Sequence, residues 1–262
     1  MSATWVQTVG GALTSGGTGA ITVANANDVL LLFIDDTAAS GRSITIADSQ
    51  SQTWTICTPP GALAGGSETQ GLYYLIGAKV GLHTLTITGT SGDTILWACV
   101  EYTNVLATGA IDATQGLQQS APGTGAGAIG SNPYNVTNVN DTLVGISVKY
   151  TTNAAGLVAS SGTQRSSTSV ASSILVVVED QIAGALTGVH SNFTDATNGG
   201  TDPYSTFSVA LFPTGPSSPP EPFMSGRAQD DPTIPPQYLL AGKVAPIIYP
   251  PSPQGQRIFV MP

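Results

Sequence analysis

His83 and His190 are the only histidines in this 262-residue chain, so any base chemistry near neutral pH would begin with them. His83 opens a Thr-rich strand after Gly81-Leu82, and His190 lies in a polar loop stretch; a strand-edge or turn role is expected for both. No Gly-x-Ser-x-Gly elbow offers a nucleophile. Paired carboxylates suit glycoside hydrolysis, and the candidates are Asp35-Asp36 with Glu101, or Glu179-Asp180. Strand alternation sends adjacent residues to opposite faces, so neither doublet is set to flank one bond. Asp195-Ala-Thr-Asn198-Gly-Gly-Thr-Asp202 offers oxygen ligands of the kind calcium takes, but it lacks EF-hand spacing, and a hydrogen-bonded turn is expected. Cys57 and Cys99 match no zinc pattern; two buried thiols are expected, with a cross-strand disulfide as the alternative. No Gly-rich loop leads from a strand into a helix to cradle phosphate. The expectation is a non-enzymatic protein with no metal and no cofactor.

Sugar binding by surface aromatics stays open. Trp54, Tyr73 and Tyr74 are the candidates, and alternation predicts that Trp54 and one tyrosine are core while the other tyrosine is exposed and could meet a glycan.

The elements that must carry these side chains are strands. β-branched and aromatic runs recur between Gly, Asn, Asp and Ser clusters, without any long 3.6-residue period, which predicts almost no helix. Strands are predicted at 5–9, 20–23, 29–35, 44–47, 53–57, 71–76, 83–88, 95–102, 134–136, 142–150, 169–179 and 206–212. The predicted fold is all-β: a jelly-roll-like β-sandwich of two antiparallel sheets over residues 1–212, followed by an extended Pro-rich C-terminal arm, residues 213–262. A weak repeat runs through the sandwich, with halves at about 20–113 and 134–212. Val23-Ala-Asn-Ala-Asn-Asp-Val-Leu parallels Val136-Thr-Asn-Val-Asn-Asp-Thr-Leu, and Asn27-Asp28 and Asn140-Asp141 suit tight turns feeding buried strands. Leu72-Tyr-Tyr-Leu-Ile is then matched by Ile174-Leu-Val-Val-Val, and Trp97-Ala-Cys-Val-Glu-Tyr by Phe207-Ser-Val-Ala-Leu-Phe. Between the halves, Gln115 to Ser131 is Gly/Ala/Ser/Gln-rich and reads as a long exposed loop.

Charge narrows the partners. Only 9% of residues are charged, and residues 1–212 hold 13 acidic against 4 basic side chains. Arg42, Lys79, Lys149 and Arg165 are scattered singly, which argues against nucleic acid and anionic membranes. The longest apolar runs, such as Val29–Ile34, are far short of a membrane span, and the first residues carry no secretory pattern, so synthesis in a cytoplasm is expected. The arm is different in kind: it holds 13 of the 18 prolines. Proline blocks helix and central strand, yet Tyr238, Leu239, Ile247, Ile248, Tyr249, Ile258 and Phe259 are larger and more apolar than a solvated linker favours. An arm of this composition is expected to lie across another subunit.

Asp48-Ser49-Gln50-Ser51-Gln52-Thr53-Trp54-Thr55 resembles the Asp-Ser-x-Gly-Asn-Thr-Trp-Thr turn of a β-sandwich module found in tailed-phage virion proteins and some bacterial surface proteins. Leu72-Tyr73-Tyr74, Leu85-Thr86-Ile87-Thr88, Val100-Glu101-Tyr102 and Ile111-Asp112-Ala113 resemble its later strands in order, while Ser51-Gln52 replaces the usual Gly-Asn. The resemblance spans about residues 20–115 and implies fold rather than catalytic residues. With the arm, it implies a virion structural protein, a capsid decoration or cement protein bound to the major capsid protein and to copies of itself. The alternatives are a tail, neck or fibre component, with tail proteins as partners, or a carbohydrate-binding host-adhesion module.

Overall fold

The computed structural model describes residues 2–37, 43–62, 69–89, 92–120, 128–150, 156–171, 174–195 and 204–214, all within the compact unit Met1–Ser217. These residues are all β, and no helix occurs among them. The first half comprises β1 (Thr4–Thr14), β2 (Thr18–Val23), β3 (Asp28–Asp36), β4 (Thr45–Asp48), β5 (Thr55–Ala62), β6 (Thr69–Ala78), β7 (Gly81–Thr88) and β8 (Thr94–Thr103). The second comprises β9 (Ile111–Ser120), β10 (Ala128–Gly130), β11 (Thr142–Tyr150), β12 (Leu157–Ala159), β13 (Thr163–Ala171), β14 (Ile174–Ile182), β15 (Asn192–Asp195) and β16 (Tyr204–Leu211).

The strand orders show what the repeat means. The first half forms one sheet β1-β8-β3-β6-β5 and another β2-β7-β4; the second forms β9-β16-β11-β14-β13 and β10-β15-β12. Each order in the second half is that of the first with every strand moved on by eight. Each half winds as a jelly roll whose fifth strand has joined the edge of the larger sheet, and every pairing is antiparallel. The predicted two-sheet sandwich therefore occurs twice, and the repeat extends beyond 20–113 and 134–212 to include β1 and β9.

The two five-stranded sheets pack face to face. Val29, Leu31, Phe33, Val100 and Tyr102 of the first meet Val144, Ile146, Val148, Phe207 and Val209 of the second in one shared core. The opposite face of the first large sheet packs on its own small sheet through Leu30, Leu32, Ile34 and Trp97 against Ile21, Leu85 and Ile87. The second half repeats this with Leu175, Val177 and Tyr204 against Leu157 and Phe193. A central strand covered on both faces needs apolar side chains at every position, which explains the unbroken run Val29–Ile34. Close approach matters in the first half: a Cβ at Gly19 would fall 2.4 Å from the Trp97 ring.

Two of the matched strands are displaced from the alignment read in the sequence. Val23–Leu30 and Val136–Leu143 make Leu31 equivalent to Val144, and these pair with Val100 and Val209 respectively. Phe207 therefore corresponds to Ala98, and Trp97 to Thr206. A one-residue shift changes the face: Trp97 points into the first half's own core and Phe207 into the shared core. Leu72, opposite Phe33, corresponds to Val178, opposite Ile146; that four-residue shift preserves the face.

The span 115–131 is also different from the long loop expected. Residues 115–120 continue β9 along β16, and 128–130 form β10 along β15. Both are edge strands, and an edge strand needs no apolar alternation, so Gln- and Gly-rich sequence conceals it. The polar β13, another edge strand, was merged in prediction with β14 for the same reason. Tyr134, predicted within a strand, makes only an isolated bridge to Val189.

The turn after β4 is held from many sides. Asp48 accepts from Gln50 N through Oδ1 at 2.8 Å and from Ser51 N through its carbonyl at 2.9 Å. Gln52 donates to Gly77 O at 3.0 Å and accepts from Lys79 N at 2.8 Å. Ser51 has φ of 54°, the left-handed region that glycine occupies without penalty. Ser51→Gly is expected to raise stability by about 0.5–1 kcal/mol, since relief of the left-handed strain is partly offset by glycine's extra unfolded-state freedom. A lowered chemical-denaturation midpoint would contradict this.

Candidate functional site

The site with the clearest construction is the last described segment, Phe212–Thr214. β8 and β16 are equivalent closing strands, and the segments leaving them meet: Val105 bridges Pro213, Leu106 N donates to Phe212 O at 3.1 Å, and Thr214 N donates to Asn104 O at 2.9 Å. Phe212 N in turn donates to Ala110 O at 2.8 Å. Pro213 is buried, and its missing N–H costs nothing at this bridge because the neighbours on each side supply the donors. The chain is thus fastened to the connection between the two halves before residues 215–262 begin.

Two pairs of acids occupy the same end, and all but Asp112 are buried. β8 ends beside the start of β3, β16 ends beside the start of β11, and the Val105–Pro213 bridge joins those ends. In the first half Asp28 lies against Glu101, both buried. Glu101 accepts from Ala24 N at 3.2 Å and from Gln7 Nε2. Burial, then the hydrogen bond with Glu101, raises the Asp28 carboxyl to about 6. In the second half the repeat-equivalent Asp141 is buried and lies against Asp112. Burial and the hydrogen bond to Asp112 raise Asp141 to about 8, so Asp141 keeps its proton at neutral pH. Burial by itself would also raise Asp112, but hydrogen bonds from Asp141 and from the hydroxyl and N–H of Thr137 hold it below its ordinary value. In each pair the nearby carboxyl adds to burial in favouring the protonated form of the aspartate that begins the central strand, Asp28 or Asp141.

Of the residues singled out for chemistry, Glu101 belongs to an acid pair and the others are placed elsewhere. Glu101 pairs with Leu30 and Asp35 with Leu96, so Glu101 and Asp35 stand five residues apart along neighbouring strands. That is about 16 Å, beyond the separation of a glycosidase pair. Glu179 accepts from Ser161 Oγ at 2.7 Å and Gly162 N at 3.1 Å, and burial raises its carboxyl. Its neighbour Asp180 points to the opposite face, accepting from Tyr102 Oη at 3.1 Å and Arg165 Nε at 2.8 Å. His83 is fully buried, with Nδ1 2.9 Å from Asp48 Oδ2 and Nε2 2.8 Å from Lys79 O. His190 Nδ1 lies 3.1 Å from Gly188 O. Both histidines serve their own turns.

Tyr73 is the tyrosine that faces inward: it is 6% exposed within the first half's core, and burial raises its hydroxyl to about 12. Tyr74 is half-buried against the shared core, and Trp54 packs on the first half's core. Cys57 and Cys99 are thiols rather than halves of a disulfide, and burial raises Cys99. Asp195 pairs with Lys149 at 3.0 Å, while residues 196–203 lie outside the described residues. Among the described residues no three His, Cys, Asp or Glu side chains converge on a metal position. Tyr238, Leu239, Ile247, Ile248, Tyr249, Ile258 and Phe259 also lie outside the described residues.

No family model matches the chain, and no curated protein or solved structure matches it.

The acid pairs went unread in the sequence although one signal was present. Asp28 and Asp141 recur at the same place in the repeat, where an aspartate also reads as a turn cap. Nothing local marks Glu101 or Asp112 as their partners.

Proposed function

We propose that this chain is a non-enzymatic structural protein of a tailed-phage virion, a capsid decoration or cement protein whose C-terminal arm binds neighbouring subunits. The observation that carries the proposal is the anchored root: Pro213 is buried and bridged to Val105, so force on the arm passes into the connection between both halves. A tether for assembly needs such a fixed base. The arm's prolines limit the freedom that docking must remove, and large apolar residues such as Tyr238, Ile247, Ile248 and Phe259 supply surface to bury on the major capsid protein, on tail proteins or on another copy. The sandwich is a poor source of that adhesion, because the net charge of −9 makes copies repel one another at short range.

The decisive experiment compares the full chain with one ending at Thr214 in reconstitution with virion proteins. The truncated chain is expected to remain soluble and folded, since the root's hydrogen bonds are retained, and to be lost from washed particles. Undiminished incorporation would place the contacts on the double sandwich and overturn the role given to the arm.

A further inference from the structure

Lys149, the penultimate residue of β11, has a fully buried side chain. On β11 it stands opposite Leu175 of β14 and Tyr204 of β16, both members of the core between the second half's two sheets. Across that core, Asp195 of β15 is 2% exposed, and its Oδ2 lies 3.0 Å from Lys149 Nζ. Tyr204 Oη donates to the same carboxylate oxygen. A nucleophile, a carboxyl group and a hydroxyl donor therefore meet in an apolar chamber lined by Leu157, Leu175, Val177 and Phe193.

We propose that Lys149 and Asp195 condense to an intramolecular amide, Nζ to Cγ, which covalently ties the large sheet of the second half to its small sheet. The reaction requires one proton to pass from Nζ to the carboxylate, which leaves an amine facing a carboxylic acid. The amine then has a lone pair, and with Oδ2 3.0 Å from Nζ the two groups are already in contact, so the reaction is intramolecular and needs no diffusive encounter. In the step itself the Nζ–Cγ bond forms and the Cγ–Oδ2 bond breaks. Two of the three ammonium protons leave with Oδ2 as water, and the third remains as the amide N–H. The Tyr204 hydroxyl hydrogen-bonds the departing oxygen, assists as a general acid and ends unchanged. The product carries no charge, so condensation replaces two buried ions with one neutral group and needs no oxidant, metal or second reactant.

The test is the intact mass of the full chain, folded, incubated and then denatured. The expected mass is below that of the sequence by one water, with tryptic cleavage after Lys149 absent and a branched peptide joining the Lys149 and Asp195 segments. Lys149→Arg keeps a cation at the position but cannot condense, and is expected to show the full sequence mass. Tyr204→Phe is expected to form the link about a hundredfold more slowly; an unchanged rate would remove Tyr204 from the reaction. Full sequence mass in the wild-type chain, or a water loss that persists in Lys149→Arg, would overturn the link. The wild-type measurement decides even where a variant does not fold.

Discussion

Phe207→Ala is expected to lower stability by about 3–5 kcal/mol, the range for truncating a buried aromatic, and to leave both halves far more sensitive to denaturant. Phe207 is fully buried on β16 and meets Phe33 of the first half edge-on, with ring centroids 5.4 Å apart at 61°. An edge-to-face pair contributes about 0.5–1.5 kcal/mol beyond area burial. The cavity cannot be filled cheaply, because its walls are the backbones of two facing sheets and side chains from both, Leu31 and Val100 on one side, Val144 and Val209 on the other. Phe207→Leu keeps most of the volume and is expected to cost under about 2 kcal/mol. Denaturant midpoints with unchanged slopes would check both values. A loss below about 1 kcal/mol for the alanine variant would mean that the halves do not depend on the shared core.

Stability is expected to fall as pH rises from about 4 to about 8, and Asp141→Asn is expected to flatten the upper part of that decline. Asp141 is held at about 8 in the folded chain against an ordinary 3.8, so between those values unfolding releases a proton and higher pH favours the unfolded state. Its stabilising contribution is complete below about 4 and gone above about 8. Asp28, raised to about 6, adds the same sign over a narrower window. Asp112 acts oppositely, because its lowered value matters only below its ordinary range, and leaves the slope above pH 4 intact. At about 1.4 kcal/mol per unit, discounted for relaxation around the pair, the Asp141 contribution is on the order of a few kcal/mol. Asparagine keeps an N–H donor toward Asp112 and has nothing to ionise, so the variant should match the wild type near pH 5 and exceed it at pH 8. General charge repulsion also grows with pH in this acidic chain, but it is common to both proteins. Calorimetric melting temperatures across this range would give the comparison; parallel curves for the two proteins would sink the assignment.

Much of the local structure was legible because it is written in short-range pattern. Val29–Ile34 announced a strand buried on both faces, and Asn27-Asp28 and Asn140-Asp141 marked equivalent turns. The Asp48–Thr55 turn could be read from its residue types, with Ser51 in the conformation a glycine would favour. Edge strands were not legible: an edge strand needs no apolar alternation, so the polar sequences of β9 and β13 read as loop or as part of a neighbouring strand.

Side-chain alternation shows that a strand has two faces, but not which neighbour each face meets. Phe207 belongs to the shared core and Trp97 to the first half's own core because pairing with β11 and β3 sets their registers. The same holds for the acids and for Lys149. Asp28 meets Glu101, Asp141 meets Asp112 and Lys149 meets Asp195 only after strands distant in sequence have paired or packed, and burial then changes their protonation or brings their atoms within reach. The arm divides in the same way. Its composition alone marked it as an element of another kind, whereas the fastening of Pro213 to Val105 required both jelly rolls to close and bring their last strands to one end.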